Sequence, residues 1–313
     1  MEAGLKRLLV AVALAALLLL VCVAVAALAG SQPISLLTAL RDPASLDRTI
    51  LVGVRLPRIA LAAVAGGGLA AVGVAFQAVL RNPLAEPYVL GVSGGAALGA
   101  TVAIVAAGGM AATALGLLVP AAALAGGLGA TALVYAVARA GGSSSGASIL
   151  LAGVIVNAIA GALITFIKTL VSASKAQELL FWLMGFLDVP SPVTLLMLVV
   201  YVGVGAAVLV ADSGRMNLLS LGDEPAQHLG VDVKGLERRV YLACSLVVGA
   251  IVSVTGLIGF VGLVVPHALR RVLGPDHRVL VPVSLLAGGA MLVLCDLVSR
   301  AAFQWLGTEP PVG

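Results

Sequence analysis

Charge is scarce in this sequence. Only 10% of its 313 residues are Asp, Glu, Lys or Arg, where soluble domains carry about a quarter. That scarcity excludes an ordinary soluble enzyme, a disordered chain and a nucleic-acid-binding domain. Cysteine is scarce too. Cys22, Cys244 and Cys295 are odd in number and scattered through apolar runs, which excludes a disulfide framework and a zinc site. No G-x-x-x-x-G-K-[ST] occurs, so the chain has no P-loop for phosphate. Without one, the VSGGA at 92–96 reads as small-residue helix packing, not as an ATPase signature. No paired carboxylates lie deep in an apolar run, as a proton relay requires. No His, Asp or Glu set clusters on one helix face, so no metal site and no catalytic residues are expected. These absences rank a membrane-embedded enzyme last and weigh against an ion- or proton-coupled secondary transporter, which stands as the alternative reading.

Apolar residues are what the chain has instead. They make up 61% of it, with 38 glycines among them. Long apolar runs rich in small residues indicate closely packed transmembrane helices, not a barrel of short alternating strands. The fold class is all-α and polytopic, a single transmembrane domain over 1–313. Runs long enough to span predict helices near 8–29, 56–80, 88–107, 111–138, 147–167, 192–211, 239–254 and 278–300. A ninth, short and glycine-broken, lies near 258–273. The first run is longer than a signal-peptide core and lacks a clean cleavage site, so it is expected to be retained.

Seven Lys and Arg residues fall outside on an N-terminus-inside topology: Arg41, Arg48, Arg55, Arg58, Lys168, Lys175 and Arg300. The other eleven of the 18 fall inside, a modest bias toward a cytoplasmic N-terminus. Nine crossings leave the C-terminus outside. GGSSSG at 141–146 reads as a flexible inner loop, and 172–190, with Phe181 and Trp182, as a short interfacial helix. The longest polar stretch, 212–239, is predicted as a cytoplasmic loop. Within it LGDEPAQHLG spells a short helix, with Asp223 as cap, Glu224 at the positive dipole end, Pro225 in the first turn and Gly230 as stop. So short a helix needs a partner surface to hold it.

Arg55 and Arg58 straddle Pro57 at the outer start of the second span, and Arg300 ends the last. Unpaired outer cations there would offer a flat site to acidic partners, or anchor lipid phosphates. Asp296, one turn before Arg300, can orient it. Asn157 and Gln77 are polar groups inside spans and either line a pathway or bridge helices. His267 has no second ligand at metal spacing and reads as a hydrogen-bonded structural histidine.

Seven segments together resemble a known family. They are RLPR at 55–58, QAVLRNPLAEPYVLGVSGGA at 77–96, LAGVIVN at 151–157, FWLMG at 181–185, LSLGDEPAQHLGV at 219–231, GLIGFVGLVVPHALRRVLGPDHR at 256–278 and DLVSR at 296–300. In this order and spacing the chain resembles the FecCD-like permease subunits of bacterial type II ABC importers for iron-siderophores, heme and cobalamin. The resemblance implies about ten transmembrane helices in the family, nine of them present here, with a tenth following a segment like EPPVG. It implies a multi-pass protein of the bacterial inner membrane that works by alternating access and does no bond chemistry. It implies a homodimer, two cytoplasmic ATPase subunits that hold the ATP and Mg, and a periplasmic substrate-binding protein. Arg55, Arg58 and Arg300 become docking residues for that binding protein. Ser220, Leu221, Gly222, Asp223, Glu224, Gln227, His228 and Gly230 become the helix that couples to the ATPase. The cargo implied is a heme or ferric siderophore, with cobalamin behind them.

Overall fold

The computed structural model describes residues 2–30, 32–106, 112–140, 146–307 and 309–312. The predicted helix ends at 107 and 111 and the glycine-serine loop at 141–145 lie outside the described residues. Every regular element among those described is helical. In chain order they are α1 (Glu2–Leu28), α2 (Leu36–Arg41), α3 (Leu46–Arg48), α4 (Leu56–Val79), α5 (Val92–Ala106), α6 (Ala112–Ala140) and α7 (Gly146–Leu170). There follow α8 (Ala173–Leu183), α9 (Pro192–Leu219), α10 (Asp223–His228), α11 (Val233–Thr255), α12 (Val261–Leu273) and α13 (His277–Leu306). A π-helical turn, Thr49–Arg55, joins α3 to α4 without a break.

Nine crossings are predicted, but seven of the described helices are long and apolar enough to cross a membrane. The other two elements are short. α5 has 15 residues and α12 has 13. At 1.5 Å per residue these reach only about 22 and 20 Å, against a hydrocarbon core of about 30 Å. Each is entered through an irregular segment, 80–91 before α5 and 256–260 before α12. Irregular backbone at membrane depth is tolerated where protein surrounds it. Here the two segments satisfy each other. The Tyr88 hydroxyl donates to the Ile258 carbonyl and accepts from the Ile258 N–H, and Glu86 accepts from the Phe260 N–H at 2.6 Å.

α4 is the hub of the bundle. Every residue from Ala65 to Val79 is buried, as expected of a helix apolar on all sides. It packs on α13, α9, α11 and α12. Small residues allow the approach. A Cβ on Gly66 would lie 2.3 Å from the Gly288 carbonyl oxygen, and one on Gly288 would lie 2.4 Å from that of Gly66. α1 lies along the outside of this core. Its Ala11 and Ala15 pack with Val279 and Val283 of α13, while Leu14, Leu17 and Leu20 face outward.

The predicted loop 212–239 is largely helix. α9 runs on to Leu219 and α11 begins at Val233, leaving 220–232 between them. Three of the charges that suggested a loop pair with one another instead. Asp212 is buried and accepts from Arg215 one turn along α9 and from Arg239 Nε of α11 at 2.9 Å. Paired in this way, they sit within helix walls.

Candidate functional site

Two groups of residues stand at opposite ends of α4. At its C-terminal end, α10 projects between α9 and α11. Its Ala226 is fully buried against the bundle. Ser220, Leu221, Asp223, Glu224, Gln227, His228 and Gly230 are all exposed. Leu221 and Leu229, 61% and 58% exposed, are apolar side chains facing water on an otherwise polar turn. The predicted cap differs. The N-cap is Gly222, with φ +117°, and no side chain caps the helix. Asp223 is instead the first helical residue, and its carboxylate pairs with Arg81 at the end of α4. Gly230 does stop the helix in a left-handed conformation, φ +83°. Leu229 escaped the sequence reading; its signal is an apolar residue inside the polar stretch.

At the other end, the three arginines are not unpaired. Arg55 and Arg300 are only 4% and 5% exposed. Arg55 Nη1 donates to the carbonyls of Ala27 at 2.8 Å and Leu28 at 3.0 Å, and Nη2 to that of Gln32. Arg300 Nη1 and Nη2 donate to Ala29 and Ala26 at 3.3 and 3.1 Å. Together they satisfy carbonyls that the last turn of α1 leaves free. Asp296, wholly buried, accepts from Arg300 Nε at 2.9 Å and from Arg58 Nε at 2.7 Å. The predicted orienting role for Asp296 is therefore present, and it serves two guanidiniums. Arg58 Nη1 also reaches Glu309 at 2.8 Å. The flat site of free cations is thus replaced by a turned-in network, because α1 and Asp296 supply acceptors closer than any partner.

The two polar residues inside spans both bridge. Asn157 of α7 donates to the Tyr88 carbonyl and accepts from the Gly94 N–H at 3.1 Å. Gln77 is buried. Its Nε2 contacts the carbonyls of Ala85 and Gly262, each at 3.4 Å, and its Oε1 accepts from Arg270 at 2.9 Å. His267 departs from expectation. It is exposed and makes no hydrogen bond among the described residues. The buried histidine is His277, whose Nδ1 lies 2.7 Å from the side-chain oxygen Oδ1 of Asn217. Arg81, Glu86, Tyr88 and Arg270 join these residues only in the folded chain. The partners of their side chains are 142 to 193 residues away, and no local pattern announces them.

Comparison with known proteins bears on the chain as a whole. The chain matches the FecCD transport family over residues 12–313. It is 44% identical over 271 residues to the cobalamin import system permease protein BtuC of Halobacterium salinarum, covering 84% of this chain and 69% of that protein. It is 35% identical to the hemin transport system permease protein HmuU of Yersinia pestis, covering 84% and 78%. A solved inward-facing structure described as a metal-chelate type ABC transporter superposes with a TM-score of 0.84 at 30% identity, over 97% of this chain and 93% of that one.

Proposed function

Because the chain belongs to the FecCD transport family, we propose that it is the membrane permease of an ATP-driven importer and that α10 is where the ATPase seats. The observation that carries this is the form of α10. It is a six-residue helix, too short to stand alone, mounted on two spanning helices. It presents Leu221 and Leu229 with Glu224, Gln227 and His228 around them. A compact apolar pair with a polar rim suits a groove on a soluble partner. ATP and Mg belong to that partner. Its closure on ATP moves α10, and the bundle opens to alternate sides.

The bundle works as a homodimer in the bacterial inner membrane, with a periplasmic binding protein at the Arg58 end. The surface for the second copy is α7, whose Val154, Ile155, Ile159, Leu163 and Phe166 are exposed. The cargo is a bulky metal chelate. Relatives are named for cobalamin, hemin and iron chelatin, so their names do not favour iron over cobalt.

The test is co-purification with the cognate ATPase and ATP-driven uptake in vesicles. Leu221→Asp with Glu224→Lys is expected to release the ATPase and abolish uptake, with the permease still folded. Wild-type values for both would reject the seat.

A further inference from the structure

A continuous polar chain runs from α10 to the exposed helix α7. It starts at the Asp223–Arg81 pair, which among the described residues is the one ion pair α10 makes. Arg81 opens segment 81–91, RNPLAEPYVLG. Two prolines, Pro83 and Pro87, fix φ within it. Asn82 stiffens it further. Its side chain accepts from the Leu84 N–H at 2.9 Å, and its carbonyl from Ala85 at 3.0 Å. Gln77 holds the segment to α4 and, through Gly262 and Arg270, to both ends of α12.

The far end is anchored as firmly. Glu86 and Tyr88 bond the 256–260 joint between α11 and α12. The Tyr88 carbonyl takes the Asn157 amide of α7. Backbone strain marks both anchors. The two non-glycine residues with left-handed backbone among those described are Arg81, φ +47°, and Phe260, φ +64°. Such conformations are unfavourable for residues with a Cβ and persist only where the surroundings impose them. A segment this pinned moves as a body, not by local flexing.

We propose that segment 81–91 is the strut that carries displacement of α10 to α7 and to the α11–α12 joint, with Arg81, Tyr88 and Asn157 as positioning residues. The proposal rests on the permease reading above. Its physical content is that α10 has two outputs. One is covalent, through the ends of α9 and α11. The other is the ion pair to Arg81, from which hydrogen bonds lead on to α7. Cutting the strut leaves the ATPase bound and its cycle running while α7 no longer responds.

The experiment uses the full chain with its cognate ATPase in nanodiscs and a bimane label on Gly161→Cys. That position lies on the side of α7 turned to the second copy, where nothing of its own chain lies within 4 Å of an added Cβ, so the label reads the setting of α7 in the complex. ATP with vanadate is expected to shift the emission of the otherwise wild-type complex. Arg81→Asp, a residue that tolerates left-handed backbone, should bind the ATPase at wild-type affinity and lose at least two thirds of the shift. Arg81→Lys, which keeps the pair, should retain it. Asn157→Leu removes the amide by which α7 holds the Tyr88 carbonyl and keeps a side chain of similar volume. It should at least halve the shift, and it decides the matter if Arg81→Asp does not fold. A full shift in folded Arg81→Asp or in folded Asn157→Leu overturns the strut. So does loss of ATPase binding by folded Arg81→Asp, which would make the pair a docking element. A wild-type chain that binds no ATPase fails at an earlier step and overturns the permease reading itself.

Discussion

Asp296 has no exposed surface and holds two guanidiniums, Arg58 and Arg300. Removing it takes from Arg300 its one carboxylate among the described residues and from Arg58 one of two, at a buried position, which is far more costly than losing a surface pair. Asp296→Ala should lower stability by about 3–5 kcal/mol, read as a fall in the unfolding midpoint in detergent. Glu309→Gln touches the same Arg58 from a half-exposed position and should cost at most about 1 kcal/mol. The residue scale is where sequence said least. The three arginines and the Asp296–Arg300 spacing were visible, since i and i+4 are neighbours on any helix. That Arg55 turns to the carbonyls of Ala27, Leu28 and Gln32 was not, because backbone acceptors carry no residue signature. The same holds for Gln77 and Asn157, whose alternatives only the bundle could decide.

Among elements, hydropathy located the seven long spans because burial in lipid and burial in protein demand the same apolar composition. It failed where charges pair inside a helix. Asp212 with Arg239 made the ends of α9 and α11 look like loop. It also could not separate a spanning helix from a short one hidden in protein, as with α5 and α12. Packing between elements depends on close approach. Gly66→Val pushes into the Gly288 backbone and should cost at least about 1–3 kcal/mol, whereas Gly129→Val, with nothing within 4 Å, should be neutral. Paired unfolding midpoints in one detergent check this; equal values would mean that α4 and α13 can separate without loss.

Over the whole molecule, one end of the bundle is expected to meet an ATPase and the other a binding protein. If Arg55, Arg58 and Arg300 dock the latter, triple reversal to Glu should abolish binding in nanodiscs, and added salt should weaken the wild-type contact. The structure changes what that experiment measures. Reversal at 55 and 300 also sets carboxylates against the carbonyls of Ala26 to Ala29, so the triple variant should be less stable even with no partner present. Arg58→Gln alone is the cleaner test, since Arg58 makes no bond to α1 among the described residues and a neutral amide does not set a third carboxylate against Asp296 and Glu309.

The last turn of α1 is thus finished by side chains that belong to other helices. An acidic partner that captures Arg55 and Arg300 must take them from those carbonyls. Docking and fraying become linked events, and part of the free energy of encounter goes into undoing the end of the first helix. Amide exchange at 25–29 should therefore quicken when the binding protein arrives and slow again when it departs. A rate that ignores the partner would mean that the arginines never leave home.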